Sequence, residues 1–175
     1  MTAHPFTVRL LTMQTEPIHP AVRVGHVHLR VADLDRALAF YRDALGLRVS
    51  ADGREVGLDA AFLAAGDYHH HVGLNTWDSA GGTPPPPGHT GLYHVAFLYP
   101  DRHELGRAVQ RLLDHDYSID HASDHGGTIS VYLSDPDGNG VELYYDRPRA
   151  DWFDADGEII LKAERFDYRE LLPPG

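Results

Sequence analysis

"VGHVHLRVADLDRALAFYRDALGL", residues 24–47, and "LYHVAFLYPDRHELGRAVQRLLDH", residues 92–115, decide the fold because they repeat one pattern. Each opens on a short run rich in β-branched and aromatic residues, with a histidine near its start, His26 and His94. Seven residues beyond each histidine stands an aspartate, Asp33 and Asp101. Both fall where a helix N-cap is needed, since a carboxylate there satisfies the free amides of the first turn. Helical spacing follows, through Leu34, Ala37, Leu38, Tyr41 and Leu45 in the first copy and Leu105, Ala108, Val109 and Leu112 in the second. Gly46 is placed to end the first helix. Glu104 sits inside the second cap as in a capping box. The joint agreement of strand, cap distance and helix argues for a duplicated module.

More strands follow each helix: "LGLRVSA", "DAAFLAAG" and "HHHVGLNTW" in the first copy, "YSIDHAS", "GTISVYLSD" and "NGVELYYD" in the second. "DPDGNG", residues 135–140, is a hairpin turn built from residues that tolerate positive φ. The order is β-α-β-β-β, twice, so the predicted class is α+β with two βαβββ modules. The expected division is an N-terminal extension (1–21), a first module (22–77), a Gly/Pro linker (78–91), a second module (92–146) and a C-terminal extension (147–175). A short strand is expected in that last segment at Glu158–Lys162.

Composition narrows the function. A formal charge of −11 argues against nucleic acid or an anionic membrane as partner. No apolar run approaches a membrane span, and the first residues lack the apolar stretch of a signal peptide. The absence of cysteine removes disulfides and thiol chemistry and fits a cytoplasmic protein. The 13 histidines are the unusual feature, and they cluster.

"GHVHLRVADLDRALAFYRDALG" and "YLSDPDGNGVELYYDRP" resemble the signatures of the vicinal oxygen chelate superfamily, which includes glyoxalases, bleomycin-resistance proteins and type I extradiol dioxygenases. "YHHHVGLNTW", "GLYHVAF", "SDHGG" and "DPDGNGVELYYDRPRADW" resemble the catechol 2,3-dioxygenase branch, and the likeness covers about residues 22–152. The resemblance implies two modules that each curl into half of an incomplete barrel around a metal cavity.

Strand alternation then sorts the side chains. His26 and His28 share one face of their strand, while Val27, Leu29 and Val31 share the other and suit packing against helices. In "GVELYY", Val141 and Leu143 take the helix side and leave Glu142 facing inward. His26, His94 and Glu142 form a two-histidine, one-carboxylate set, the ligand type of non-haem Fe(II) with open positions. The resemblance assigns the same three positions to the metal, and Mn(II) suits the same set. It puts only the first histidine of His26-x-His28 on the metal, which leaves His28 in the pocket wall.

His94 precedes Glu142 by 48 residues, and the same count from His26 reaches Leu74, with no carboxylate between Tyr68 and Trp77. Glyoxalase-type isomerases commonly use a fourth protein ligand at that corner, often an acid. Three ligands on an octahedral ion leave room for the two oxygens of a catechol and for O₂. The resemblance further implies an acid-base histidine at His70, with His71 and Phe62 beside the substrate and His69 at the rim. It implies an active-site tyrosine at Tyr132 and a second proton-handling histidine at His125, with His121 as the alternative. The expected function is an Fe(II)-dependent extradiol dioxygenase acting on an aromatic diol with O₂. A glyoxalase-like isomerase or transferase and a non-enzymatic aromatic-ligand (drug) binding protein are the alternatives. A homo-oligomer with modules exchanged between chains is compatible with the same pattern.

Overall fold

The computed structural model describes residues 16–174, in which two open sheets share one core. The first sheet contains β1 (Val27–Arg30), β2 (Arg48–Asp52), β3 (Ala60–Ala64) and β4 (Val72–Asn75), in the order β1-β4-β3-β2. The second contains β5 (Val95–Tyr99), β6 (His121–Gly126), β7 (Thr128–Ser134), β8 (Gly140–Asp146) and β9 (Leu161–Arg165), in the order β5-β8-β7-β6-β9. β1 runs parallel to β4 and β5 parallel to β8, while the remaining pairs are antiparallel. The first four strands of each sheet therefore have one topology, and the mixed α and β class read from the sequence is what forms.

The registers set the two sheets in correspondence residue by residue. His28 of β1 lies beside Gly73 of β4, which lies beside Phe62 of β3. Ala96 of β5 lies beside Glu142 of β8, which lies beside Tyr132 of β7. Thus Gly73 matches Glu142, and Phe62 matches Tyr132. Leu74, reached by counting from His26, is instead a fully buried core residue. The two parallel strands are one residue closer in sequence in the first copy than in the second.

Asp33 caps α1 (Leu34–Leu38), its Oδ1 accepting from the Arg36 amide at 2.8 Å. Asp101 caps α2 (Arg102–Asp114) through the Glu104 amide at 2.9 Å. α1 is short because the chain widens into a π turn over Ala39–Ala44, where the Leu45 amide reaches back to the Phe40 carbonyl at 2.8 Å. Phe40 and Tyr41 are both fully buried there, Phe40 edge-on to Tyr117 at 4.9 Å. Gly46 follows with φ 89° and ends the segment as expected.

The "DPDGNG" turn joins the copies. Asp135, only 5% exposed, accepts from the Asp137 and Asn139 amides on Oδ1, at 2.9 and 2.8 Å. Its Oδ2 accepts from Asn139 Nδ2 and from the Tyr41 hydroxyl, both at 2.9 Å. Asp137 receives the Arg36 guanidinium at 2.6 Å and the Ala32 amide at 3.1 Å. Burial, and next the Asp135 carboxylate, push the Tyr41 phenol far above its ordinary value, so it stays a donor.

The C-terminal strand starts three residues later than expected, at Leu161, because Phe153 and Ile159 first form an isolated antiparallel bridge. β9 then docks on β6, where Asp124 receives Arg147 at 2.7 Å and Lys162 at 3.3 Å. Burial opposes ionisation of Asp124, but the Gly126 amide, Lys162 and Arg147 outweigh it and hold the carboxyl below its ordinary range.

Two outcomes follow. Tyr41→Phe leaves a buried carboxylate oxygen short of a donor and should cost about 1–3 kcal/mol, read as a lower urea midpoint. Asp124 is depressed in the fold, so its stabilisation is complete above the unfolded-chain value near ~3.9 and is lost as pH falls through the folded value. Melting temperatures of the wild type and Asp124→Asn should therefore differ at neutral pH, and the gap should begin to narrow only as pH falls below about 4; a gap that does not narrow in stronger acid contradicts the assignment.

Candidate active site

The faces of the sheets turned away from the helices carry two clusters of histidines and aromatics. In the first sheet His26 stands at the start of β1 with its ring 4.5 Å from that of His70. His70 also meets Phe62 at 5.1 Å and His69 at 4.5 Å, and His69 Nδ1 lies 2.8 Å from His70 Nδ1. His28 lies across Gly73 toward Phe62 at 5.9 Å and Trp77 at 5.6 Å. Gly73 is required for this: a Cβ on it would sit 2.9 Å from the His28 ring. His71 turns the other way, stacked on Tyr68 at 4.6 Å and receiving the Ala65 amide at 3.3 Å.

Burial first, then the facing imidazoles of His26, His69, His28 and His71, holds His70 below its ordinary value. His28 is lowered in the same way, by burial and by His26. Desolvation and crowding by potential cations both favour the neutral ring.

The second sheet holds a continuous polar chain. His94 Nε2 lies 2.9 Å from Glu142 Oε2, and the Tyr132 hydroxyl donates to Glu142 Oε1 at 2.9 Å. His125 Nε2 lies 2.9 Å from the Tyr132 oxygen, and His125 Nδ1 lies 2.8 Å from the Lys162 carbonyl of β9. A carbonyl only accepts, so Nδ1 of His125 carries a proton and Nε2 is the nitrogen that faces Tyr132. His121 is exposed and stacks on Tyr132 at 4.5 Å. Burial, with the Glu142 carboxylate adding to it, raises the Tyr132 phenol to about 12.

His26 and the His94–Glu142 pair belong to different clusters, and among the described residues no three His, Cys, Asp or Glu side chains are grouped to hold a metal. His26 lines a cleft of 590 Å³ whose opposite wall is the β5 segment Val95–Pro100. The His94–Glu142 pair suits a divalent cation. Its donor atoms, 2.9 Å apart, have the spacing of neighbouring ligands on one ion with bonds of about 2.0–2.2 Å. Glu142 is partly buried, and its ion-pair partner is the His94 imidazole, with no Lys or Arg on it among the described residues. His94 Nδ1 is buried with no hydrogen-bond partner.

Sequence reasoning missed two contributors. Gly140 gives His94 its place, because a Cβ there would run into the Tyr93 carbonyl and lie 3.1 Å from His94 Cβ. The Lys162 carbonyl fixes His125 from a segment read as an extension; the apolar run "EIILK" was its only signal. Trp152 donates its indole N–H to the Arg147 carbonyl at 2.8 Å and walls a cavity that begins at His125.

Comparison with known proteins identifies the family and the fold. The chain is 37% identical over 166 residues to the catechol-2,3-dioxygenase of Bacillus subtilis (strain 168), covering 89% of this chain and 53% of that one. It thus spans about half the length of that relative. It is 28% identical over 124 residues to the lactoylglutathione lyase of Haemophilus influenzae, covering 70% of this chain and 91% of that enzyme. A glyoxalase/dioxygenase crystal structure from Nostoc punctiforme has the same fold, with a TM-score of 0.61 at 23% identity over 77% of this chain and 99% of that one. Residues 23–143 match one family along their whole length, and the chain belongs to the Glyoxalase/Bleomycin resistance protein/Dioxygenase superfamily.

Proposed function

We propose that this chain is an extradiol ring-cleaving dioxygenase of aromatic catabolism in the cytoplasm, acting on a catechol-like diol with O₂. The observation that carries the reading is the corner at Gly73. The position matching Glu142 has no side chain, and the His28 ring fills the space beside it. In this reading the donors are the His94–Glu142 pair and His26, which must be brought from its separate cluster to the same ion, a set that leaves open positions on iron(II). Iron(II), or manganese(II) in its place, supplies the centre at which a diol and dioxygen react.

The chain's own residues bind the diol and handle its protons. His70, neutral and beside His26, accepts the proton of a diol hydroxyl at its free ring nitrogen. Phe62 and His28 flank the ring of the substrate, while His71, turned toward Tyr68, stands apart from it. Tyr132 holds Glu142 in place through its hydroxyl. The Lys162 carbonyl keeps the Nδ1 proton of His125 in place, so any proton that His125 exchanges is at Nε2; with the Tyr132 proton given to Glu142, Nε2 donates to the Tyr132 oxygen only when it is itself protonated. In the overall reaction both atoms of O₂ enter the product and the C–C bond beside the diol breaks.

The lactoylglutathione lyase relative supports a second reading, an oxygen-independent isomerase on the same scaffold. Anaerobic loading with Fe(II), followed by oxygen and a panel of catechols, separates the two. The expected result is one O₂ consumed per diol and a yellow ring-opened product; no uptake with any diol despite bound iron overturns the proposal. The residue roles separate as well. His70→Ala should retain iron while kcat falls about 10²–10⁴-fold, the span of general acid–base catalysis. Glu142→Ala should lose iron, read by elemental analysis.

A further inference from the structure

We propose that His69 is a positioning residue that acts through His70, setting its tautomer and passing its proton to and from bulk water. The inference rests on the ring-cleaving reading and adds to it the route by which protons leave and re-enter the site.

The geometry begins at one contact, His69 Nδ1 lying 2.8 Å from His70 Nδ1. A neutral imidazole carries one N–H, so across that contact one ring donates and the other accepts, and the two rings hold opposite tautomers. In one arrangement His70 donates from Nδ1, its Nε2 is bare, and His69 carries its proton at Nε2. In the other His69 donates from Nδ1, and the proton of His70 is at Nε2. Only the first leaves His70 a nitrogen that can take a proton from a diol. The transfer balances. The diol O–H breaks as an N–H forms at His70 Nε2; the His70 Nδ1–H breaks as one forms at His69 Nδ1; the His69 Nε2 proton goes to water. Each ring is neutral before and after. The same steps in reverse give the proton back as product forms.

The surroundings hold the pair together and open one end of it to water. His70 is partly buried beside His26 and Phe62, at 4.5 and 5.1 Å, whereas His69 is exposed. Tyr68 packs on the His69 ring at 4.1 Å and on His71 at 4.6 Å, which restrains His69. Arg48 secures the preceding turn by donating to the Gly66 carbonyl at 3.0 Å. Among the described residues His69 Nε2 has no hydrogen-bond partner, so that nitrogen meets solvent. The two imidazoles wall a recess of 450 Å³ whose charged residues are Arg48 and Asp67. Among the described residues neither of these bonds to either ring, which leaves His69 as the polar group joined to His70 Nδ1.

The test compares two variants of the full chain. His69→Phe keeps a ring on Tyr68 and loses the bond to His70. His69→Asn keeps a group that bonds His70 Nδ1 but has no second ring nitrogen to pass a proton to water. In iron-loaded protein both should retain iron, lower kcat for catechol about ten-fold or more with KM little changed, and recover as the concentration of a non-chelating buffer rises. A role in holding the loop alone predicts normal turnover in His69→Asn and no rescue by buffer, and either result overturns the inference. In labelled, metal-free protein, nitrogen NMR should show the His70 Nδ1 resonance move in His69→Phe while those of His125 stay in place; no movement also overturns it. Coupled rings in the metal-free protein with no cleavage of any diol keep the tautomer pairing and overturn the ring-cleaving reading instead.

Discussion

The two modules are tied together at one buried carboxylate. Asp135 closes its own turn with two backbone amides and the Asn139 side chain, then spends its remaining capacity on Tyr41 from the other copy. A carboxylate removed from water is stable only when its oxygens are met by donors, and here one donor must come from across the chain. The helical segment of the first module is thereby pinned to the hairpin that introduces β8. β8 also carries Glu142, and the same first module carries His26, so the contact ties together the elements that bear the two clusters.

Polarity is divided between those halves in an instructive way. The first sheet presents imidazoles and Phe62, with no carboxylate in its His26, His28, Phe62 and His70 cluster. The second presents a carboxylate, a phenol and two imidazoles in hydrogen-bonded sequence. The registers show Phe62 and Tyr132 in equivalent positions, so the hydroxyl is what one copy has and the other lacks. One half suits an aromatic face and a proton acceptor; the other suits a cation.

Much of this was legible in the sequence, because its signals are local. Asp33, Asp101 and Gly46 declare the helix ends through backbone chemistry that needs no tertiary partner. Alternation puts Glu142 on the face opposite Val141 and Leu143. What escaped was non-local. The pairing of Gly73 with Glu142 depends on a one-residue difference between two crossover lengths, which counting from His26 turned into Leu74. The π turn at Ala39–Ala44 escaped because Phe40 and Tyr41 satisfy an α-helical stripe as well. The grip of β9 on His125 uses a backbone carbonyl, which no side-chain motif records. Separate clusters around His26 and His94 likewise depend on how two sheets meet, and short-range patterns do not encode that.

The crowding at Gly73 bears on how such a duplicated chain can diverge. A single codon change that places an acid there would drive its first carbon into the imidazole of His28. The matching neighbour of Glu142 is the small Ala96, so the sister copy has no such obstruction. A carboxylate at 73 to match Glu142 thus requires an ordered mutational path, with the residue at 28 shrinking before the one at 73 grows. Taken in the other order the first substitution is unfavourable by itself, so positions 28 and 73 are joined by sign epistasis.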